Sequence, residues 1–389
     1  MRYCFVVGTR PELIKTAPVI DKFKKNNQDV MVLSTSQHKE LLETANRVFN
    51  IKFDYDLDIM KPNQNLFDIS INVLSKIREF FEYTKPKYIF VQGDTSTAFI
   101  VALASFYHQD IYICHIEAGL RSFDKYQPFP EEINRRLISV VADYHFCPTS
   151  LSAKNLYREN IRQNVFITGN TVVDALLLID PLVNKMDIQT LYQIEPNNYI
   201  LVEVHRRESF GKTMIEILES IDEIQKITKI PVIFPVHYNP NVRKPAFEIL
   251  SKNKNIRLID PIDYLTMLSL IKNARIIITD SGGIQEEAPT YKTPVIVVRN
   301  KTERPEGIKH KFIILAGTDK KQIIQKTIKH IDHKQKIIKS NVNNPYGDGL
   351  ASQRIFDIIV KNTYTPFQDN TKISLIQTND KIHLRNNNR

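Results

Sequence analysis

Short apolar runs recur along the chain, each closed by a polar or glycine-bearing turn. In the first half they are Tyr3–Val7, Val30–Leu33, Tyr88–Gln92, Ile111–His115, His145–Cys147 and Val165–Ile167. In the second half they are Tyr199–Val204, Val232–Phe234, Ile256–Ile259, Arg275–Thr279, Val295–Val298 and Phe312–Leu315. Segments of helical character fall between most of them, including Gln64–Tyr83, Thr95–His108, Asn134–Ala142, Met214–Ile227 and Asp263–Ile271. Apolar strands alternating with helices predict parallel sheets covered on both faces. The equal division of strands between the halves predicts an α/β chain of two Rossmann-like domains. The boundary is expected within Gly169–Asp187, so that residues 1–170 form the first domain and 171–352 the second. A last helix at about 353–362 is expected to pack back on the first domain, ahead of a basic, poorly ordered tail over 363–389.

Composition narrows the class. A chain of 389 residues with 42% hydrophobic and 25% charged positions is long enough for two domains with real cores. Cys4, Cys114 and Cys147 all sit in or beside apolar runs, which predicts buried free thiols rather than a disulfide framework, and a cytoplasmic location. No apolar run approaches the roughly 20 residues of a membrane-spanning helix, and none has the form of a secretory signal. The net charge of +10 is concentrated: Thr318 to Ser340 carries seven lysines against two aspartates, and Lys361 to Arg389 five basic residues against two acidic. The body that holds the candidate chemistry is therefore close to neutral. The lysine-rich stretch predicts a solvated helix face, and a nucleic-acid partner is not expected.

Ligands of such sheets bind beyond the carboxyl ends of the strands, so the residues after each run carry the chemistry. The segment Ala274 to Pro289 reads as strand, glycine turn and helix. Ser281, Gly282 and Gly283 allow an anion to approach the backbone, or Ser281 is only a helix cap. The acidic pair Glu286-Glu287 that follows needs partners other than an anion, and sugar hydroxyls are the candidates. After the first strand, Arg10 and Lys15 fit phosphate binding at a helix start or are ordinary surface cations. Asp94 and Glu117 follow the Tyr88–Gln92 and Ile111–His115 runs and emerge at one sheet edge, as bases or hydroxyl ligands, although Asp94 can equally cap a helix. Glu131 and Glu132 open another helix, where the helix dipole accounts for one of them. In the second domain His205, flanked by Arg206, is a candidate phosphate contact or proton donor, and Arg304 follows the Val295–Val298 run. His237 reads as structural or peripheral. No zinc-protease or paired-cysteine motif occurs, and no GxGxxG follows the first strand, so neither a metal nor a nicotinamide cofactor is expected.

Taken together, GTRPELIK, QGDTSTA, HIEAGLRS, PFPEEINRR, TGNTVVDAL, HRRESFG, TDSGGIQEEAP, TERPEG and NPYGDG resemble the non-hydrolysing UDP-N-acetylglucosamine 2-epimerases, in order and approximate spacing, from Arg2 to about Asn362. The resemblance implies a GT-B-like fold with a cleft between the two domains, a cytoplasmic homodimer without cofactor or membrane insertion, and reversible interconversion of UDP-GlcNAc and UDP-ManNAc for bacterial surface polysaccharide. It implies Asp94, Glu117 and Glu131 as the acid/base set, with Lys15 and His205 near the reacting phosphate. Arg10, Ser281, Gly282, Gly283, Glu287 and Arg304 match positions that hold UDP, Glu287 at the ribose, which makes the second domain the UDP-binding one. The chain departs from the family pattern at Ile262 and Met267, near the expected uracil. It also departs at Glu203, where a hydroxyl-bearing residue is commoner. Gln37 and His237 match positions linked to activation by a second substrate molecule, while Glu40 and Asn63 do not. Two other readings stay open: a 2-epimerase of a modified sugar such as a 2,3-diacetamido uronate, and a GT-B glycosyltransferase, in which Asp94, Glu117 and Glu131 would have no role.

Overall fold

The structure is a computed structural model that describes residues 1–37, 39–60, 64–340 and 342–369, with only the backbone described over 39–41. The readings made at Glu40, Asn63 and 370–389 therefore lie outside the described residues. The chain divides into two compact units, residues 1–178 together with the chain from Tyr346 onward, and Ile179–Pro345.

In the first unit, the described strands are β1 (Arg2–Val7), β2 (Asp29–Ser34), β3 (Tyr55–Asp56), β4 (Tyr88–Gln92), β5 (Tyr112–Ile116), β6 (Tyr144–Cys147) and β7 (Val165–Ile167). They form one parallel sheet in the order β3-β2-β1-β4-β5-β6-β7. The period of two in β1 places Tyr3, Phe5 and Val7 in one core and Cys4 and Val6 in the core on the opposite face. Across neighbouring strands Phe5 stacks on Phe90 at 4.3 Å, and Tyr88 stacks on both Tyr3 and Tyr112 at 5.2 Å. The helix Ala351–Phe356 closes that face, with Phe356 edge-on to Phe23 at 5.2 Å. Strand β3 was not foreseen: its two residues form no apolar run and pair only with Leu33 and Ser34 at the sheet edge.

The helices start where local chemistry stops the orphan amides. Asn65 accepts from Phe67 N and Asp68 N, so the helix begins at Leu66 and not at Gln64. The helix expected from Asn134 instead runs Glu131–Val141 and opens with its two glutamates in the first turn. Residues 363–369, placed by sequence in the loose tail, are fastened to this unit. Phe367 N donates to Ile167 O (2.8 Å), Ile167 N donates to Tyr364 Oη (2.7 Å), and the buried Asp369 accepts from Ser150 N and Oγ at 2.7 and 2.6 Å.

The second unit repeats the plan with β8 (Ile200–Glu203), β9 (Val232–Pro235), β10 (Ile256–Ile259), β11 (Ile276–Thr279), β12 (Val295–Val297) and β13 (Ile313–Leu315), in the order β10-β9-β8-β11-β12-β13. Here both faces are aliphatic, so Ile, Val and Leu run almost continuously through β8 and β11. The lysine-rich stretch is not uniformly solvated. Lys334 is buried and donates to Lys272 O and Ala274 O at 2.6 and 2.8 Å, and burial pulls its amine down to about 8.

The three cysteines are free and buried. Among the described residues, no helix is long and apolar enough to cross a membrane.

Candidate active site

Each sheet reverses its strand order once, between β1 and β4 in the first unit and between β8 and β11 in the second. At such a switch point the loops at the carboxyl ends diverge and leave a crevice for ligands. Most of the candidate residues of each unit lie on or beside those loops.

After β1, the helix Arg10–Lys25 is started by Glu12, which accepts from Gly8 N (2.8 Å), Thr9 N (2.7 Å) and Thr9 Oγ1 (3.0 Å). Its other oxygen accepts from Thr95 Oγ1 of the post-β4 loop at 2.6 Å, so this buried carboxylate ties together the two loops flanking the switch point. One turn on, Lys15 is buried and ion-paired with Glu117, whose side chain is 8% exposed. Glu117 follows β5 in the left-handed region (φ 67°), a conformation that costs a non-glycine residue on the order of 1 kcal/mol. Its carboxylate also accepts from Gln92 Nε2 at 3.1 Å, and Asn170 Nδ2 lies 3.5 Å away. Two residues further, Gly119 is required: at φ 85° a Cβ would stand 2.2 Å from the backbone oxygen of Ser152.

Asp94 is not a helix cap; Thr95 takes that position and accepts from Ala98 N at 3.0 Å. Asp94 instead pairs with Arg135, and Asn134 Nδ2 donates to its backbone oxygen at 2.9 Å. The two glutamates of the next helix separate cleanly. Glu132 is fully buried, accepts from Ser122 N (2.9 Å) and Phe123 N (3.2 Å) and pairs with Arg135 at 3.3 Å, while Glu131 stays partly exposed. Of the two cations expected to serve phosphate, Arg10 is exposed, but Lys15 is already matched by Glu117.

At the second switch point the backbone after β8 is gripped from β11. Asp280, fully buried, accepts from His205 N (3.1 and 3.2 Å), Arg206 N (3.0 Å) and Ser209 Oγ (3.3 Å). His205 Nδ1 faces Glu203 Oε1, and its ring lies near-parallel to that of the exposed His237, with centroids 5.2 Å apart and planes 14° apart. Burial and Arg206 draw His205 toward its neutral form, but Glu203 and Asp280 outweigh them and raise its pKa.

Ser281 precedes the short helix Gly282–Glu287 but its hydroxyl does not cap it; its N–H donates to Thr279 Oγ1 at 2.9 Å. A Cβ on Gly283 would meet only Ser281 Oγ, at 3.8 Å, whereas one on Gly282 would press on the Arg304 guanidinium at 2.8 Å. Arg304 donates to Glu286 Oε1 at 2.7 Å, so one oxygen of this glutamate is held by the arginine. Buried Glu287 accepts from Tyr264 Oη at 2.9 Å. Glu203, His205 and Asp280 bring ligand-type atoms within 4.8 Å of one another. Asp280 already takes three donors and Glu203 faces His205, so the cluster is a network of internal partners rather than a set of open ligands.

A family model described as UDP-N-acetylglucosamine 2-epimerase matches residues 21–360. The chain belongs to that family. A putative UDP-N-acetylglucosamine 2-epimerase of Thermotoga maritima is 42% identical over 371 residues, covering 92% of this chain and 96% of the relative. The crystal structure of the Neisseria meningitidis UDP-GlcNAc 2-epimerase bound to UDP-GlcNAc superposes with a TM-score of 0.87 at 43% identity, over 93% of this chain and all of that one. The Methanocaldococcus jannaschii enzyme, solved with UDP-GlcNAc and UDP, gives 0.81 at 36% identity, over 93% and 100%. The family membership read from the motifs is thus established, together with the GT-B-like α/β class. Sequence reading passed over Glu12, Gln92, Asn170 and Asp280. Only Glu12 announced itself, as the fourth residue of a Thr-x-x-Glu capping box.

Proposed function

We propose that this chain interconverts UDP-GlcNAc and UDP-ManNAc by eliminating UDP and adding it back. The observation that carries the proposal is the meeting of Lys15, Gln92 and Glu117 at the first switch point beside the Asp94–Arg135 pair, within a chain that belongs to this family. The C2 proton of the sugar has no adjacent carbonyl to acidify it, so simple abstraction and return is too difficult. When a carboxylate takes that proton, the C2–H electron pair forms the C1–C2 double bond and the C1–O pair leaves on the β-phosphate. The products are a 2-acetamidoglucal and UDP. Protonation of C2 from the other face and attack of the same phosphate oxygen on C1 complete the exchange.

Asp94, Glu117 and Glu131 are the proposed acid/base set; which of them takes the first proton is left open. Lys15, paired with Glu117, lies close to the reacting phosphate. In the second unit His205 receives the charge that develops on the diphosphate, where fixed donors act only as the bond breaks. Arg10, Ser281, Gly282, Gly283 and Arg304 hold UDP, and Glu287, oriented by Tyr264, takes the ribose hydroxyls. Buried free thiols favour a reducing cytoplasm. Exposed apolar side chains on three helices of the first unit, Phe67, Ile71, Tyr107 and Val140, favour a homodimer through that face.

Incubation with UDP-GlcNAc alone in deuterated water tests the reaction. Deuterium at C2 and formation of UDP-ManNAc are expected. A chain that leaves C2 unlabelled overturns the proposal and points to the glycosyltransferase reading, and turnover confined to a diacetamido uronate points to the modified sugar.

A further inference from the structure

Glu203 is the last residue of β8, two positions before His205. One carboxylate oxygen pairs with His205 Nδ1. The other is fixed from the neighbouring strand: Thr279 is the register partner of Glu203, and its Oγ1 lies 3.0 Å from Glu203 Oε2 and donates to Glu203 O at 2.6 Å. The same Thr279 oxygen accepts Ser281 N–H at 2.9 Å. A continuous chain of contacts therefore runs from the glycine turn through Thr279 and Glu203 to the imidazole. Asp280 meanwhile holds the His205 backbone, and His237 covers the ring. With Nδ1 turned to Glu203 Oε1, Nε2 is the nitrogen that remains to serve a ligand at the switch point.

We propose that Glu203 is a positioning residue for the epimerisation: from beside Nδ1 it fixes the orientation of the His205 imidazole, so that Nε2 is presented to the departing diphosphate. This rests on the epimerase reading above. The groups facing His205 are Glu203 on its own strand, Asp280 after β11, Arg206 next in sequence, and His237 after β9. Glu203 and Asp280 favour the imidazolium, while burial and Arg206 oppose it; His237 is itself lowered, first by burial and then by the neighbouring His205. Without Glu203 the opposing influences prevail and the charged imidazole is lost at lower pH.

The test is Glu203→Gln in the full chain, which keeps the shape and removes the charge, with Glu203→Asp as the charge-preserving comparison. For Glu203→Gln, kcat for UDP-GlcNAc should fall roughly ten- to hundredfold, the loss usual when a partner that orients a functional histidine is removed. KM should change little, and the alkaline limb of the kcat profile should move to lower pH. Glu203→Asp should recover most of the rate and the limb. Nitrogen-15 histidine spectra of both proteins with UDP bound, with the His205 signals identified by their loss in His205→Gln, should show the imidazole titrating at lower pH in Glu203→Gln. A Glu203→Gln enzyme with near wild-type kcat and an unmoved limb overturns the proposal, as does an unchanged His205 titration. If the wild-type chain fails to epimerise UDP-GlcNAc, the functional reading fails, and the imidazole titration still decides the role of Glu203. If Glu203→Gln does not fold, Glu203→Thr takes its place as the variant without the charge, and an unmoved His205 titration there counts against the proposal.

Discussion

Replacing Glu117 by Gln separates the two things this carboxylate does. Its side chain and that of Lys15 are 8% and 10% exposed, so the pair is all but withdrawn from water. The isosteric change keeps the left-handed backbone and its cost in both proteins, and what is lost is one charge. Removing one member of a buried pair leaves the other uncompensated, at a cost of about 3–5 kcal/mol. That is a large part of the ~5–15 kcal/mol that holds an ordinary domain folded, yet not all of it. In catalysis, losing a general acid or base should lower kcat by about 10²–10⁴, equivalent to ~3–5 kcal/mol of barrier. Urea unfolding and the deuterium-exchange assay measure the two effects on one sample. The double variant Lys15→Met/Glu117→Gln removes both charges; stability should return toward wild type while turnover stays lost, and UDP should bind throughout. Wild-type turnover in Glu117→Gln would refute the acid/base role. An unchanged urea midpoint would refute the buried pair.

Three further outcomes are expected. Asp94→Asn should lose turnover by a similar factor while retaining UDP, measured by calorimetry alongside kcat; retention of rate would remove Asp94 from the acid/base set. Gly282→Ala should weaken UDP binding about tenfold, because the added Cβ displaces the Arg304 guanidinium, whereas Gly283→Ala meets little protein and should act only through the ligand; equal, unaltered affinities would place UDP elsewhere. Burial lowers His115 to about 4, and its Nε2 bonds Gly93 O at 2.8 Å. Its contribution to stability is complete above the unfolded pKa of about 6.5 and is lost as pH falls toward 4. The contribution is on the order of 3 kcal/mol. His115→Gln, which can still donate to Gly93 O, should show a flatter fall of the urea midpoint across that window, and identical slopes would refute the buried neutral histidine.

What the sequence made legible follows from what is local. Apolar runs bounded by turns report strands because both sheets are covered on both faces, and twelve of the described strands lie where those runs fall. Tyr55–Asp56 escaped because an edge strand of two residues needs neither an apolar run nor a second buried face. The candidate residues were legible because they follow strands, but their partners were not. Whether Glu131 or Glu132 is spent on structure depends on Arg135 and on the amides of Ser122 and Phe123, which no spacing rule couples to a helix start. Likewise the bond from Arg304 to Glu286, eighteen positions apart, leaves no mark in the spacing.

The two sheets share a deeper logic. In both, an acidic side chain from one side of the switch point binds backbone amides or a hydroxyl on the other: Glu12 joins the β1 and β4 loops, and Asp280 joins the β11 and β8 loops. Each is buried, and burial raises each carboxyl while the donors pull it down. These two acids are occupied in holding loops, whereas Asp94, Glu117 and Glu131 are the ones proposed to react. Glu12→Gln should therefore loosen both loops and impair UDP-GlcNAc turnover without itself being an acid/base residue. The mark of that distinction is a kcat loss in Glu12→Gln with the pH profile of the wild type, whereas changes at Glu117 or Asp94 should alter its shape. If Glu12→Gln reshapes the profile as they do, the division between holding and reacting carboxylates is wrong.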